Sequence, residues 1–225
     1  MDQQSGGAGD YSQDEQLSAS YAPTQAPATE PTQQSFPLTF HVEYKPKLDR
    51  LTTFFRIFTI IPVGVIVALL SANEAAVGSM LFVPLVLMLL FRKKYPRWWY
   101  DWNLQFTRFY MRVQVYLLLM RDEYPSTDEE QAVRLDFPYP DAEHLSRGLP
   151  LVKWFLAIPH WFLLFFLSLA ALVCVVVAWF AILFTGVYPR SLFDFVEGVN
   201  RWWLRVVAYA ILLITDEYPP FRLTP

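Results

Sequence analysis

Two stretches of the chain carry acidic and basic side chains at the spacing of a helix. The first stripe consists of Asp101, Gln105, Arg108 and Arg112, at intervals of four, three and four residues. The second stripe consists of Asp194, Glu197, Arg201 and Arg205. Carboxylates held beside guanidinium groups could transfer protons in an enzyme, whereas guanidinium groups on one helix face could bind the phosphates of lipid headgroups.

The acids of these stripes are explained by helix electrostatics. Asp101 follows Arg97 by four residues, and Glu197 precedes Arg201 by four residues, which is the spacing of an ion pair along a helix. An acid near the start of a helix also interacts favourably with the helix dipole. The sequence therefore predicts charge partners rather than catalytic carboxylates at Asp101, Asp194 and Glu197.

The sequence contains no recognisable catalytic motif. It has no glycine-rich phosphate loop, no His-Glu-x2-His zinc motif and no Gly-x-Ser-x-Gly elbow. Its three histidines are far apart in sequence, and the single cysteine, Cys174, excludes an intramolecular disulfide or a cysteine-based metal cluster. We therefore expect a protein that is not an enzyme and has no metal and no cofactor. The net charge of -3 predicts no nucleic-acid partner.

The stripes belong to a longer internal repeat. The motif Tyr-Pro-Arg at 95–97 returns at 188–190, and the motif Asp-Glu-Tyr-Pro at 122–125 returns at 216–219. A pattern displaced by 93 and then 94 positions indicates a tandem duplication of one unit. Hydrophobic residues make up 54% of the chain and the mean hydropathy is +0.26, which favours a unit that resides in a membrane.

Each unit begins with an apolar run. The run at 51–91 is interrupted by the polar residues 71–74, which predicts two helices joined by a short turn. The run at 151–185 would be about 52 Å long as one helix, too long for a hydrocarbon core of about 30 Å. A second turn is therefore expected near Ser168, which gives two helical hairpins and four spans.

Basic residues flank both apolar runs, and the expected turns carry none. By the positive-inside rule, both termini and the linker are predicted to be cytoplasmic, and the two units are parallel repeats. The flanking basic residues are Lys45, Lys47, Arg50, Arg56, Arg92, Lys93, Lys94, Arg97, Arg147, Lys153 and Arg190.

After each hairpin we expect an amphipathic helix that lies in the headgroup layer. Arginines predicted to contact headgroups, including those of anionic lipids, are Arg97, Arg108, Arg112, Arg190, Arg201 and Arg205. Aromatic side chains predicted at the membrane boundary are Trp98, Trp99, Trp102, Trp202 and Trp203. The alternative, in which residues 98–120 and 193–214 cross the bilayer, is left open by the periodicity. It would place arginines at the midplane at a cost of several kcal/mol.

Short alternating stretches precede the hairpins. Residues 38–44 and 133–137 alternate apolar and polar side chains, which predicts strands. An isolated strand leaves its backbone unpaired, so the two strands are expected to pair with each other. The predicted domains are a disordered acidic tail at 1–36, a first membrane repeat at 37–125, a linker with a short strand at 126–146 and a second repeat at 147–225.

The repeated motifs and the stretch Leu-Pro-Leu-Val-Lys-Trp-Phe-Leu-Ala-Ile-Pro-His at 149–160 carry a family resemblance. Over Phe40 to Phe221 the chain is similar to the bacterial membrane family that carries the domain of unknown function 4389, in two copies. The resemblance implies a bacterial inner-membrane protein and supplies no activity, cofactor or catalytic residue.

Taken together, these features predict an all-α, multi-pass protein of the inner membrane, with both termini cytoplasmic. Its expected function is that of a non-enzymatic accessory or scaffold protein, which organises lipid or binds a membrane partner. The acidic tail would be a docking segment for such a protein partner. The alternative is a component of a transporter or channel, although the apolar runs offer few polar groups to line a path.

Overall fold

The computed structural model describes residues 36–126 and 131–224, with the backbone alone described at 57 and 72–81. The acidic tail predicted at 1–36 lies outside the described residues except for Phe36, whose side chain is buried. The fold is mostly helical with one small sheet. Its elements are β1 (Thr39–Val42), α1 (Arg50–Leu87), which a π-helical turn (Met88–Arg92) prolongs, α2 (Arg97–Leu117), β2 (Val133–Asp136), α3 (Leu149–Thr185) and α4 (Arg190–Ala210).

The two predicted strands pair with each other. β1 runs antiparallel to β2, and Thr39 is opposite Asp136 while Val42 is opposite Val133. Phe40 and Val42 are buried, whereas Thr39 is exposed, because successive side chains of a strand point to opposite faces. This outcome confirms the predicted pairing of two segments that are about ninety residues apart in sequence.

The predicted hairpins are wrong. α1 is helical through residues 71–74, and α3 is helical through Ser168 and its neighbours, so each unit has one long helix in place of two short ones. Neither segment contains a glycine or proline at the expected turn, and a polar residue by itself does not end a helix. The chain reverses later, at Lys93 and Gly186, which have the left-handed φ values of 49° and 75°.

The elements form three layers. α2 and α4 lie antiparallel in the middle layer, where Gln114 donates to Asn200 at 3.2 Å and Tyr110 stacks on Trp203. β1 and β2 cover one side of this pair. α1 and α3 cover the other side and are also antiparallel. The Leu48 N–H before α1 donates to the Gly186 carbonyl after α3, while the end of α1 meets the start of α3.

α3 contacts the middle layer through one narrow stripe. Its buried side chains recur at intervals of three or four residues, with one interval of seven residues between Leu164 and Ala171, as expected for a helix that lies lengthwise on a neighbour. The stripe consists of Lys153, Ala157, His160, Leu164, Ala171, Val175, Ala178 and Ile182.

Candidate functional site

Arg201 lies in the interior at the middle of α4, with only 7% of its surface exposed. Its Nε donates to the Phe40 carbonyl at 3.2 Å, and one terminal nitrogen donates to the Leu223 carbonyl at 2.9 Å. The other terminal nitrogen lies 3.1 Å from the Glu197 carboxylate. Arg201 therefore joins β1, α4 and the C-terminal segment.

Arg205, one turn further along α4, also binds the C-terminal segment. It is 2% exposed and donates to the carbonyls of Arg222 and Thr224 at 3.0 and 2.8 Å. Burial, with the nearby charges of Arg201 and Arg222, lowers the pKa of Arg205 to about 10. The predicted headgroup contact is thus corrected for these two arginines, because protein atoms enclose both guanidinium groups.

The arginines of the first stripe also bind backbone carbonyls. Arg108 donates through Nε to the Leu135 carbonyl at 2.9 Å and lies 3.3 Å from the Asp136 carboxylate, so it holds β2 against α2. Arg112 donates to the Ser126 carbonyl at 2.8 Å. Both side chains retain some exposure, and their predicted contact with lipid stays a prediction.

Two of the six predicted arginines are fully at the surface. Arg97 and Arg190 form exposed ion pairs with Asp101 at 3.8 Å and with Asp194 at 3.0 Å. Each guanidinium group also lies over a tyrosine ring of a neighbouring segment, at 4.9 Å for Arg97 and 4.5 Å for Arg190. The two aspartates have an arginine partner on their own helix, as the spacing predicts.

Glu197 is the buried member of the predicted charge partners. Its Oε1 accepts hydrogen bonds from the Val42 N–H at 2.9 Å, and it lies 3.0 Å from His41 Nδ1 and 3.1 Å from Arg201. One carboxylate therefore satisfies a strand N–H and a buried guanidinium group at once. We call Glu197, Arg201 and His41 the ribbon clamp, because they bind the two-stranded ribbon, through β1, to α4.

The predicted boundary tryptophans divide into two groups. Trp98 and Trp102 are exposed, in agreement with a position at a surface. Trp99 and Trp202 are buried, which corrects the expectation for these two. Trp203 is half-buried against Tyr110, and its boundary position stays a prediction. The spacing of aromatic residues along a helix could not separate the covered face from the exposed one.

Two buried ion pairs were not predicted from the sequence. Arg56 of α1 lies 2.7 Å from Asp122 and 4.4 Å above the Tyr116 ring. Lys153 of α3, which is fully buried, lies 2.8 Å from Asp216 and 5.0 Å above the Tyr209 ring. All six residues occupy matching positions of the predicted repeat, and this correspondence in the sequence is the signal that could have found them.

His160 of α3 is enclosed by aromatic rings. The indole N–H of Trp202 donates to His160 Nδ1 at 3.1 Å, and the Phe221 ring stacks on the imidazole at 4.1 Å. Tyr218 covers a further side at 4.8 Å. The histidine therefore connects α3, α4 and the C-terminal segment in a packed core.

The titratable side chains of the described residues do not assemble into a metal site. Within 36–126 and 131–224, no group of three His, Cys, Asp or Glu side chains is placed to hold an ion. Cys174 is a free, half-buried thiol on α3. The buried polar side chains described above bind one chain segment to another.

The outer face of α3 is apolar from end to end. Large hydrophobic side chains project from every turn, and Phe155 and Phe184, near its two ends, are 73% and 78% exposed. The helix is long and apolar enough to cross a membrane. An 18-residue stretch of it has a mean hydropathy of 2.8, and only 22% of that stretch is buried in the protein. Among the described helices, the segments Arg50–Arg56 and Phe58–Ser71 of α1, bent by 50°, would together make a second candidate. The four predicted spans are thus reduced to one or two.

The chain matches one known family over part of its length. Residues 150–222, which comprise α3, α4 and the segment up to Arg222, match the domain of unknown function DUF4389. No curated protein and no solved structure matches the chain.

Gly198 of α4 lies directly beneath the C-terminal segment. A Cβ at this position would meet the Leu223 Cβ at 2.8 Å and its carbonyl oxygen at 3.0 Å. We expect Gly198→Ala to lower the free energy of unfolding by about 1–3 kcal/mol and to loosen the last residues, because the core is overpacked. Thermal unfolding and carboxypeptidase digestion would measure both effects.

Gly64 provides the matched control for this substitution. It is also helical, and a Cβ there would meet no described atom within 4 Å. Gly64→Ala should leave stability unchanged or raise it by about 0.5–1 kcal/mol, since alanine favours the helix. Equal effects of the two substitutions would contradict the close packing of the C-terminal segment on α4.

Proposed function

We propose that this protein is a non-enzymatic membrane protein that uses α1 and α3 to enter the bilayer and organises lipid or a membrane partner at its polar side. The observation that carries the proposal is the continuous apolar outer face of α3. In water, a helix on the surface of a protein has a polar outer face, and contiguous apolar surface marks a membrane or protein contact. At about 55 Å for 37 residues, the face is longer than the hydrocarbon core is thick, about 30 Å, so a bilayer covers all of it when the helix lies along the membrane.

The layered fold favours an arrangement in which the side formed by α1 and α3 enters the bilayer and α3 does not cross it. The C-terminal end of α3 is joined to the segment before α1 through Leu48 and Gly186, and its N-terminal end is joined to the segment after α4 through Lys153 and Asp216. β1 is bonded to the middle of α4 through the ribbon clamp. If α3 crossed the bilayer along its axis, this open-edged strand pair would lie at bilayer depth, where unpaired backbone groups are too costly.

The matched contacts of the two halves support a tandem origin. Arg56 and Asp122 in the first half correspond to Lys153 and Asp216 in the second, and the left-handed turn at Lys93 corresponds to that at Gly186. We propose that the chain contains two copies of one unit in a bacterial inner membrane, with the polar side and both termini in the cytoplasm. The acidic tail is the proposed docking segment for a protein partner.

Cysteine labelling tests this arrangement. In a Cys174→Ser background, single cysteines replace Lys47 before α1, Lys94 after α1 and Ser168 in the middle of α3. We expect an impermeant maleimide to label positions 47 and 94 from the same side of sealed vesicles, and to leave position 168 unlabelled from either side. Labelling of 47 and 94 from opposite sides would contradict one-sided insertion, and rapid labelling of 168 would contradict membrane contact.

Charges placed on the apolar face should release the protein from the membrane. Replacing Phe162, Phe165 and Leu169, all exposed on α3, with glutamate should move the protein into the soluble or aggregated fraction, because each inserted charge has a cost that rises with depth to about 2.5–3.5 kcal/mol at the bilayer centre. Membrane flotation measures the change. Glutamate at Thr39 and Arg134, which are exposed on the strands, is the control and should leave flotation unchanged.

A further inference from the structure

A groove of about 440 Å³ separates the end of α1 from the start of α3. One wall is formed by residues such as Val83 and Leu87, and the other by Leu151, Trp154 and Phe155. The lining is almost wholly apolar, and it is continuous with the exposed face of the two helices. Its volume lies within the usual range for small-molecule sites, about 300–1,000 Å³.

Three cations lie close in sequence to the helix ends that form the two walls of this groove. Arg92 follows Leu87 by five residues, Lys94 comes two residues later, and Arg147 precedes Pro150 by three residues. All three side chains are exposed, and none has an ion-pair or hydrogen-bond partner among the residues that the structure describes. The pairing of an apolar groove with a cationic rim is complementary to an amphiphile with an anionic head.

The other charged groups of this end are partly engaged. Lys93 donates to the Glu143 backbone carbonyl at 2.7 Å, and Asp141 lies 2.8 Å from His144. The exposed Glu143 carboxylate is one acid against the four cations Arg92, Lys93, Lys94 and Arg147, so the charge of this end stays positive. Lys153 faces the interior and pairs with Asp216. The exposed indole of Trp154 belongs to the groove itself, and such rings favour the boundary between acyl chains and headgroups.

We propose that this groove binds one acyl chain of an anionic phospholipid, whose phosphate lies against Arg92, Lys94 and Arg147. The site deepens the proposed function, on which it rests, by naming the lipid class and the place of contact. It differs from the arginine stripe of α4, since Arg201 and Arg205 are buried and bind backbone carbonyls. The three cations are close in sequence to the helix ends that line the groove. A lipid bound at this site would therefore place its headgroup at the cations and its acyl chain in the groove.

The test measures phospholipid retained by the full chain after purification in a neutral detergent from vesicles of phosphatidylcholine and phosphatidylglycerol. The unmodified protein should retain phosphatidylglycerol in preference to phosphatidylcholine. Arg92→Gln with Lys94→Gln should lower that preference about tenfold, since each cation near an anionic surface contributes a few-fold. Lys47→Gln with Arg134→Gln removes two exposed charges elsewhere and should leave it unchanged.

A second pair of variants tests the apolar wall. Val83→Trp should fill the groove and lower retention of both lipids, whereas Val65→Trp changes a similarly exposed valine of α1 outside the groove and should not. The site would be overturned if the Arg92 and Lys94 variant lost no more lipid preference than the Lys47 and Arg134 control. It would also be overturned if Val83→Trp and Val65→Trp lost equal amounts of retained lipid. Protein that needs detergent for extraction but shows no lipid preference would overturn the groove alone. Protein recovered in the soluble fraction would overturn the proposed function itself.

Discussion

Glu197→Ala is expected to lower the free energy of unfolding by about 3–5 kcal/mol, because it leaves the Arg201 guanidinium group buried without its counter-charge. It also removes the acceptor of the Val42 N–H and the partner of His41, so β1 keeps only the bond from Arg201 to the Phe40 carbonyl as its hydrogen bond to α4 among the described contacts. We expect a large fall in the thermal unfolding temperature in detergent, together with proteolysis of the segment before α1. Circular dichroism and limited proteolysis would measure the two effects.

Asp194→Ala is the matched control on the same helix. Asp194 is also bonded to an arginine four residues away on α4, but both partners are exposed and water screens their attraction. Its loss should change stability by less than about 1 kcal/mol. Similar effects of Asp194→Ala and Glu197→Ala would show that the ribbon clamp is not a buried centre of the fold.

Asp216→Ala is the second substitution with a large expected effect. Asp216 lies 2.8 Å from the fully buried Lys153 and accepts a hydrogen bond from the Ser146 N–H. Its removal leaves the buried Lys153 ammonium group without a counter-charge, with the Thr215 carbonyl at 2.8 Å as its remaining described hydrogen-bond acceptor, which should cost about 3–5 kcal/mol of stability. Chemical unfolding in mild detergent, followed by tryptophan fluorescence, would measure this loss.

The double variant Lys153→Met with Asp216→Ala separates charge from packing. Methionine has a similar shape and no charge, so most of the lost stability should return. A double variant that is less stable than Asp216→Ala alone would contradict an uncompensated charge as the cause. Asp122→Ala, which removes the partner of Arg56, should resemble Asp216→Ala if the two halves are copies of one unit.

The sequence determined the local elements of this protein. Alternation at 38–44 and 133–137 predicted β1 and β2, and their pairing followed from the need of an isolated strand for a partner. The three- and four-residue spacing predicted α2 and α4, and the same spacing predicted the ion pairs of Asp101 with Arg97 and of Glu197 with Arg201. These features depend on neighbours along one helix or strand, and periodicity reports such neighbours directly.

Tertiary structure decided which faces are covered. The spacing placed Arg108 and Arg201 on polar stripes, but it did not reveal that β2 and β1 supply the carbonyls that bind them. The polar residues at 71–74 favoured a turn, yet no glycine or proline there enforces one, and the helix continues. Whether a guanidinium group meets a headgroup or a backbone carbonyl depends on segments far away in sequence. Only the packed fold brings those carbonyls within hydrogen-bond distance.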